Sequence, residues 1–286
     1  MHLSRNVTEL LKMIKFEHTL FALPFAYLGA FIGGGVPTLP QTLWIALAMF
    51  GARTAAMCFN RLVDTDFDAL NPRTRMRSLP AGKLSRRFVI QFTAFSVALL
   101  LYSAFRLNLL CLLLAPLAVG IIFFYSFTKR FTWLSHVFLG LSLAIAPMGG
   151  WLGVGGKLTP VAWLLAGIVG LWVAGFDIIY ACQDTEFDRR HHLYSLPQRI
   201  GVGPALAVSA FLHFLMTILL LALYWYVGLG NITLVGVLVT CILIGYEHWI
   251  VRPSDLSRID AAFFTINGIV SILLFLAIGL DLALIR

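Results

Sequence analysis

Acidic residues are scarce in this chain: 13 in 286 residues, against 21 lysines and arginines. Charged residues of both signs make up only 12% of the sequence, too few to cover the surface of a soluble domain of this length. Cysteine is sparse, with Cys58, Cys111, Cys182 and Cys241 standing singly in or beside apolar runs. That spacing excludes a disulfide framework or a cysteine metal cluster, and predicts reduced thiols packed as small apolar side chains. The first 18 residues, MHLSRNVTELLKMIKFEH, lack the continuous apolar core and small-residue cleavage site of a signal peptide. They read as an amphipathic cytoplasmic entry helix. Period-two alternation is missing as well, which excludes a membrane barrel, since runs such as LLLAPLAVGIIFFYSF are apolar on every side.

What is present is hydrocarbon: 60% hydrophobic residues and a mean hydropathy of +0.90 place the chain in a bilayer. A spanning helix needs roughly 20 mostly apolar residues. Nine stretches qualify, at about 19–36, 41–59, 88–105, 108–127, 134–154, 161–182, 204–227, 231–251 and 260–283, predicting an all-α polytopic membrane protein. Positive charge is retained on the cytoplasmic side during insertion. With the N-terminus inside, 18 of the 21 basic residues fall on that side, leaving Arg106, Lys157 and Arg286 outside. The formal charge of +8 therefore describes a basic cytoplasmic face, and nucleic-acid binding is not needed to explain it.

The few acids cluster. DTDFD at 64–68 and DTEFD at 184–188 are nearly the same pentapeptide, each at the cytoplasmic end of a span and each followed by Ser-Leu-Pro, at 78–80 and 195–197. The match predicts two duplicated halves, each giving one acidic helix end to a shared cavity. On a helix, Asn60, Asp64 and Asp68 share one face, as do Tyr180, Asp184 and Asp188. Two like charges one turn apart repel unless a divalent cation sits against them, and ligands made only of oxygen point to Mg²⁺, which keeps waters and joins carboxylates to phosphate oxygens. Asp66, Glu186 and Asp177 point elsewhere and are weaker ligand candidates. A single motif would read as a solvated helix end; two matched motifs at bilayer depth read as a functional site. Arg73, Arg77 and Lys129 are the cations placed to face the acid-bound metals and to neutralise a diphosphate leaving group. Arg75, Lys83, Arg86, Arg87, Arg189 and Arg190 read mostly as positive-inside anchors.

Together N-x-x-x-D-x-x-x-D, then R-T-x-x-R, then a second D-x-x-x-D resemble the UbiA family of intramembrane aromatic prenyltransferases. KFEHTLFALPFAYLGAF, ARTAAMCFNRLVDTDFD, NPRTRMRSLPAG, YSFTKRFTWLSH and the second DTEFD are similar to its quinone-biosynthesis branch, including 4-hydroxybenzoate polyprenyltransferases, and the resemblance covers essentially the whole chain as one domain, 1–286. It implies nine helices around a central cavity, a cytoplasmic cap and a lateral opening for the polyprenyl tail. It also implies that Asn60, Asp64 and Asp68 bind one Mg²⁺-diphosphate unit and Asp184 and Asp188 the other. Arg73, Arg77 and Lys129 would contact diphosphate oxygens, with Lys15 near the place where related enzymes carry an arginine.

Arg53, seven residues before Asn60 on the same face, needs an anion at that depth. The resemblance assigns it the acceptor carboxylate, an internal ion pair being the alternative. Tyr125 would lie beside the reacting allylic carbon, where its ring shields a cation, or else is an interfacial tyrosine. Two departures stand out: Arg61 and Tyr194 replace an acidic and a basic residue common in relatives, and His191 and His192 nearby read as cap-loop residues. The expected activity is Mg²⁺-assisted ionisation of an allylic polyprenyl diphosphate and capture of the cation by a phenolic ring, 4-hydroxybenzoate first and a dihydroxynaphthoate second. The rivals are a chlorophyll, haem or lipid-ether prenyltransferase of the same fold, and a transporter, whose acids belong near the midplane.

Overall fold

A computed structural model of the chain describes residues 2–15 and 19–285; the end of the expected entry segment, 16–18, lies outside them. Thirteen α-helices follow one another among the described residues. They are α1 (His2–Ile14), α2 (Thr19–Gly34), α3 (Leu39–Val63), α4 (Thr65–Leu70), α5 (Arg86–Leu107), α6 (Leu109–Thr128), α7 (Ser135–Gly153), α8 (Pro160–Ala181), α9 (Thr185–Arg190), α10 (Leu196–Ile200), α11 (Val202–Val227), α12 (Asn231–Ile250) and α13 (Asn267–Ile285). A π-helical turn over Ala261–Ile266 leads into α13.

Eight segments are long and apolar enough to cross a membrane, and all eight match expected spans. The ninth, α2, has 16 residues with Pro24 inside it, so it is shorter than a full crossing. Polar residues set the ends. Thr38 and Gln41 form a capping box at α3, Ser85 caps α5, and Asn108 closes α5 while its side chain caps α6.

The most enclosed helix is α8, packed between α7 and α11, while α3 packs on α5 and α2 on α7. Helices in lipid associate through close packing and polar contacts, because the tails are as apolar as leucine. Both devices are present. A side chain on Gly150 would collide with the carbonyl of Ala26, and one on Gly29 with the carbonyl of Pro147, so α2 and α7 meet backbone to backbone. Trp172 on α8 donates to Asn267 Oδ1 at 2.7 Å, and Asn267 donates to the fully buried Glu247 of α12 at 3.0 Å.

α1 buries Leu10, Met13 and Ile14 against α3 and the 79–89 segment and leaves Leu11 and Lys12 outward, an amphipathic face as expected. The cysteines are all free; Cys58, Cys111 and Cys182 are buried and Cys241 partly so.

Candidate active site

Both acidic motifs sit where a long helix gives way to a short one. Continuous helices were expected through 60–68 and 180–188. Instead α3 stops at Val63 and α4 restarts at Thr65, with Asp64 at φ −92° and ψ 5°; α8 passes through a 3-10 turn at 182–184 and α9 restarts at Thr185, with Asp184 at φ −101° and ψ 4°. Placing ψ near zero at one residue bends the axis where adjacent carboxylates repel. The four-residue register survives the first bend, since Asp64 N bonds Asn60 O at 2.9 Å and Asp68 N bonds Asp64 O at 2.8 Å. Residues 61–70 and 181–190 share the same order of buried, half-buried and exposed positions: Asp68 and Asp188 face inward, and Asp66 and Glu186 face solvent.

The loop after α4 ties the two motifs together. Asn71 Nδ2 donates to Asp184 Oδ1 at 3.1 Å, Arg73 Nε donates to the same oxygen at 3.0 Å, and a second Arg73 nitrogen reaches Asp184 Oδ2. Arg73 also donates to the Tyr180 hydroxyl at 2.9 Å. Arg77 donates to Asp68 Oδ1 at 2.7 Å, and Arg61, largely buried, stands 3.8 Å from Asp68 Oδ2. Asn60 donates to Asp64 Oδ2 at 3.0 Å, and Arg130 lies 3.6 Å from Asp64 Oδ1 while donating to the Val63 carbonyl at 2.7 Å. Lys129 stands within electrostatic reach of Asp64 from the first motif and of Asp184 and Asp188 from the second.

Charge shapes the protonation of this cluster. Burial pushes the Asp64 carboxyl up, with Lys129 opposing and Asp68 adding to the shift. Burial works against the Lys129 ammonium, but Asp188, Tyr125 and Asp177 hold its proton above the usual lysine range. The same contest on Arg73 is won by Asp184. Lys15, at the end of α1, is pushed down to about 8 by burial and then by Arg61 and Arg77. Its ammonium rests 4.2 Å from the centre of the Phe264 ring.

The expected metal cradles are not closed: among the described residues no three carboxylate, histidine or cysteine side chains converge on one point. The reason is visible, because arginines of the 61–77 region and Arg130 hold the carboxylates. The donor set nonetheless fits a hard cation, since Asp68 Oδ2 and Asp188 Oδ2 are buried without a hydrogen-bond partner and every nearby ligand atom is oxygen. Arg53 Nε is likewise buried and unbonded. Tyr125 is half-buried one helical turn before Lys129.

Several participants were missed in the sequence. Arg61 was noted only as a departure and Asn71 not at all, while Arg130, which with Lys129 ends the fourth span, was expected in the ring of cations facing the acids. Asp177 was set aside as pointing elsewhere, yet it lies 2.7 Å from His136 and within electrostatic reach of Tyr125 and Lys129. The only available signal was the spacing of Asp177, seven residues before Asp184. Both Ser-Leu-Pro motifs serve as scaffold: Ser78 Oγ donates to Glu9 Oε2 at 3.1 Å, and Ser195 caps α10. Tyr194 is exposed and its amide donates to the Lys129 carbonyl at 2.7 Å. His191 packs on Phe187 at 4.2 Å between ring centres, and His192 is exposed.

Residues 22–269 match the model of the UbiA prenyltransferase family. A 4-hydroxybenzoate octaprenyltransferase of Alkalilimnicola ehrlichii is 30% identical over 256 residues, covering 87% of this chain and 85% of that protein. A solved UbiA homolog from Aeropyrum pernix K1, in its apo form, superposes with a TM-score of 0.86 at 36% identity, covering 93% of this chain and 98% of that one. A UbiA homolog from Archaeoglobus fulgidus, solved bound to DMAPP and Mg²⁺, shares the fold with a TM-score of 0.76 at 21% identity, covering 96% and 99% of the two chains. Family model, curated relative and solved fold agree with one another, and the chain belongs to the UbiA prenyltransferase family.

Proposed function

We propose that this protein transfers a polyprenyl group from an allylic polyprenyl diphosphate to an aromatic acid, 4-hydroxybenzoate in the first place, on a route to ubiquinone or menaquinone. The observation that carries the reading is the bridge from Arg73 and Asn71 to Asp184, which joins two anionic helix ends under a set of basic side chains. The Alkalilimnicola relative acts on 4-hydroxybenzoate by name, and the Archaeoglobus neighbour holds DMAPP and Mg²⁺. A site of this charge pattern suits an anionic leaving group better than ion conduction, which places its acids near the midplane. A naphthoate acceptor is the outcome to test beside it.

Asn60, Asp64 and Asp68 would hold one Mg²⁺, and Asp184 and Asp188 the other; ions held there would supply positive charge to a diphosphate leaving group. The chain's own residues do the rest. Arg73 and Arg77, which pair with Asp184 and Asp68, turn to phosphate oxygens when diphosphate binds. Lys129 adds a fixed charge between the two motifs. Arg53 takes the acceptor carboxylate, for which its unbonded Nε is suited. The Tyr125 ring lies beside the developing cation and shields it from water. The charge asymmetry of the loops supports a site that opens on the cytoplasmic face of the cell membrane.

The test is a transfer assay on purified protein in detergent with labelled prenyl diphosphate and either 4-hydroxybenzoate or a dihydroxynaphthoate, with and without EDTA. Prenylated acid that forms only with Mg²⁺ is the expected result. Product formation that persists in EDTA, or no product with either acid, overturns the reading.

A further inference from the structure

Two ionisable groups lie deeper than the acidic helix ends, at positions that are not equivalent in the two halves. Arg53 stands seven residues before Asn60 on α3, and Asp177 stands seven residues before Asp184 on α8. Seven residues are about two turns, roughly 10 Å along a helix axis. Each acidic end therefore has a charged residue deeper in its own helix, a cation on α3 and an anion-forming group on α8.

Asp177 is held in one state by its neighbours. The Leu196 amide donates to His136 Nε2 at 3.2 Å, so that nitrogen carries the lone pair and the ring proton is on Nδ1. From Nδ1 it is donated to Asp177 Oδ2 at 2.7 Å. The ring is 2% exposed, and its second nitrogen has no room for a proton while the Leu196 bond stands. The ring's Nδ1–H thus fixes the orientation of the Asp177 carboxyl group. Oδ1 makes no hydrogen bond among the described residues, and the carboxylate lies within electrostatic reach of Tyr125 and Lys129, the two residues assigned to the reacting carbon and the departing diphosphate.

We propose that Asp177, oriented by His136, is the base that takes the proton lost by the acceptor ring. The inference rests on the aromatic-transfer reading above. The ring carbon ortho to the hydroxyl forms a bond to the allylic carbon, whose bond to the diphosphate oxygen breaks and leaves its electron pair on diphosphate. The resulting ring cation loses the hydrogen of that carbon as a proton to Asp177 Oδ1, and the C–H electrons restore aromaticity. One prenyl diphosphate and one arene give one prenylated arene, one diphosphate and one proton, which Asp177 returns to solvent. His136 does not take the proton itself, because one ring nitrogen already bears a hydrogen and the other accepts one. It is a positioning residue.

The experiment compares wild type, Asp177→Asn, Asp177→Glu and His136→Ala, using geranyl diphosphate, Mg²⁺ and 4-hydroxybenzoate either unlabelled or deuterated at both carbons ortho to the hydroxyl. Calorimetry reads diphosphate binding and product analysis reads coupling. Asp177→Asn is expected to bind the diphosphate within about two-fold of wild type and to couple roughly 100-fold more slowly, the lower range for loss of a general base. The deuterated acceptor should slow it further, an isotope effect the wild type lacks, because proton loss becomes limiting. Asp177→Glu should recover part of the rate, and His136→Ala should show a smaller loss with the same isotope effect. Coupling by Asp177→Asn close to wild type overturns the proposal, and so does a loss of diphosphate binding in step with coupling or the absence of the isotope effect. A wild type that prenylates no aromatic acid defeats the transfer reading and this inference with it; a competent wild type beside an equally competent Asp177→Asn defeats this inference alone.

Discussion

The Arg73 guanidinium, five residues beyond the first acidic motif, clasps the Asp184 carboxylate of the second, with Nε 3.0 Å from Oδ1 across a sequence separation of 111 residues. Two pieces of chain with the same local pattern are thereby fastened to each other, and the fastener is a group with a second possible partner, a phosphate.

That dual use gives a prediction of opposite signs. Arg73→Ala frees the Asp184 oxygens, so Mg²⁺ binding without diphosphate should tighten, while geranyl diphosphate binding with Mg²⁺ should weaken by about 10- to 100-fold, the worth of a lost charge-assisted hydrogen bond. Calorimetric titration of each ligand in turn measures both. A variant that weakens both, or neither, would show that Arg73 does not alternate between partners.

Arg53 carries a narrower one. Its Nε is buried and unbonded, so the cost of holding it there is repaid only when an anion arrives. Arg53→Ala should raise the KM for 4-hydroxybenzoate by about ten-fold or more with little change toward the prenyl diphosphate. Arg53→Lys should not restore it, because a single ammonium cannot match a bidentate carboxylate contact. Steady-state kinetics with each substrate varied separately decides, and a change confined to the diphosphate would refute the assignment.

Lys15 makes the site sensitive to alkali. Held near 8 by burial and by Arg61 and Arg77, its ammonium is charged below that pH and neutral above it, well before an ordinary lysine. Diphosphate binding should therefore weaken as pH rises through about 8. Stability of the unliganded protein should move the other way: between about 8 and the ordinary value of 10.5 the unfolded chain holds a proton that the folded one has released, so unfolding becomes harder as pH rises. Lys15→Met should flatten both profiles, which binding isotherms and thermal unfolding across that range would record.

Packing supplies the last. Gly150→Ala forces a methyl group against the Ala26 carbonyl at the α2–α7 contact, so one of the two backbones must shift. A loss of about 1–3 kcal/mol is expected from overpacking. Thermal unfolding in detergent checks it against Gly149→Ala on the same helix, where an added methyl meets nothing and stability should hold.

Hydropathy and charge asymmetry are sums over neighbouring residues, so eight of the nine expected spans were legible in the sequence, and α3, α5, α6, α8, α11 and α12 begin and end within a few residues of the expected places. The acidic motifs were legible for the same reason, each being contained in one stretch of chain. The duplication in sequence has its counterpart in the matched burial of residues 61–70 and 181–190. What only the tertiary structure decided is who meets whom. Asn71 with Asp184, His136 with Asp177 and Arg130 with Asp64 are pairs 113, 41 and 66 residues apart, joined by the loop after α4, the packing of α7 on α8 and the packing of α3 on α6 respectively. A pair interaction falls off over a few ångströms, while its partners can be any distance apart along the chain. The sequence therefore named the charges, and the fold alone determined which arginine meets which carboxylate.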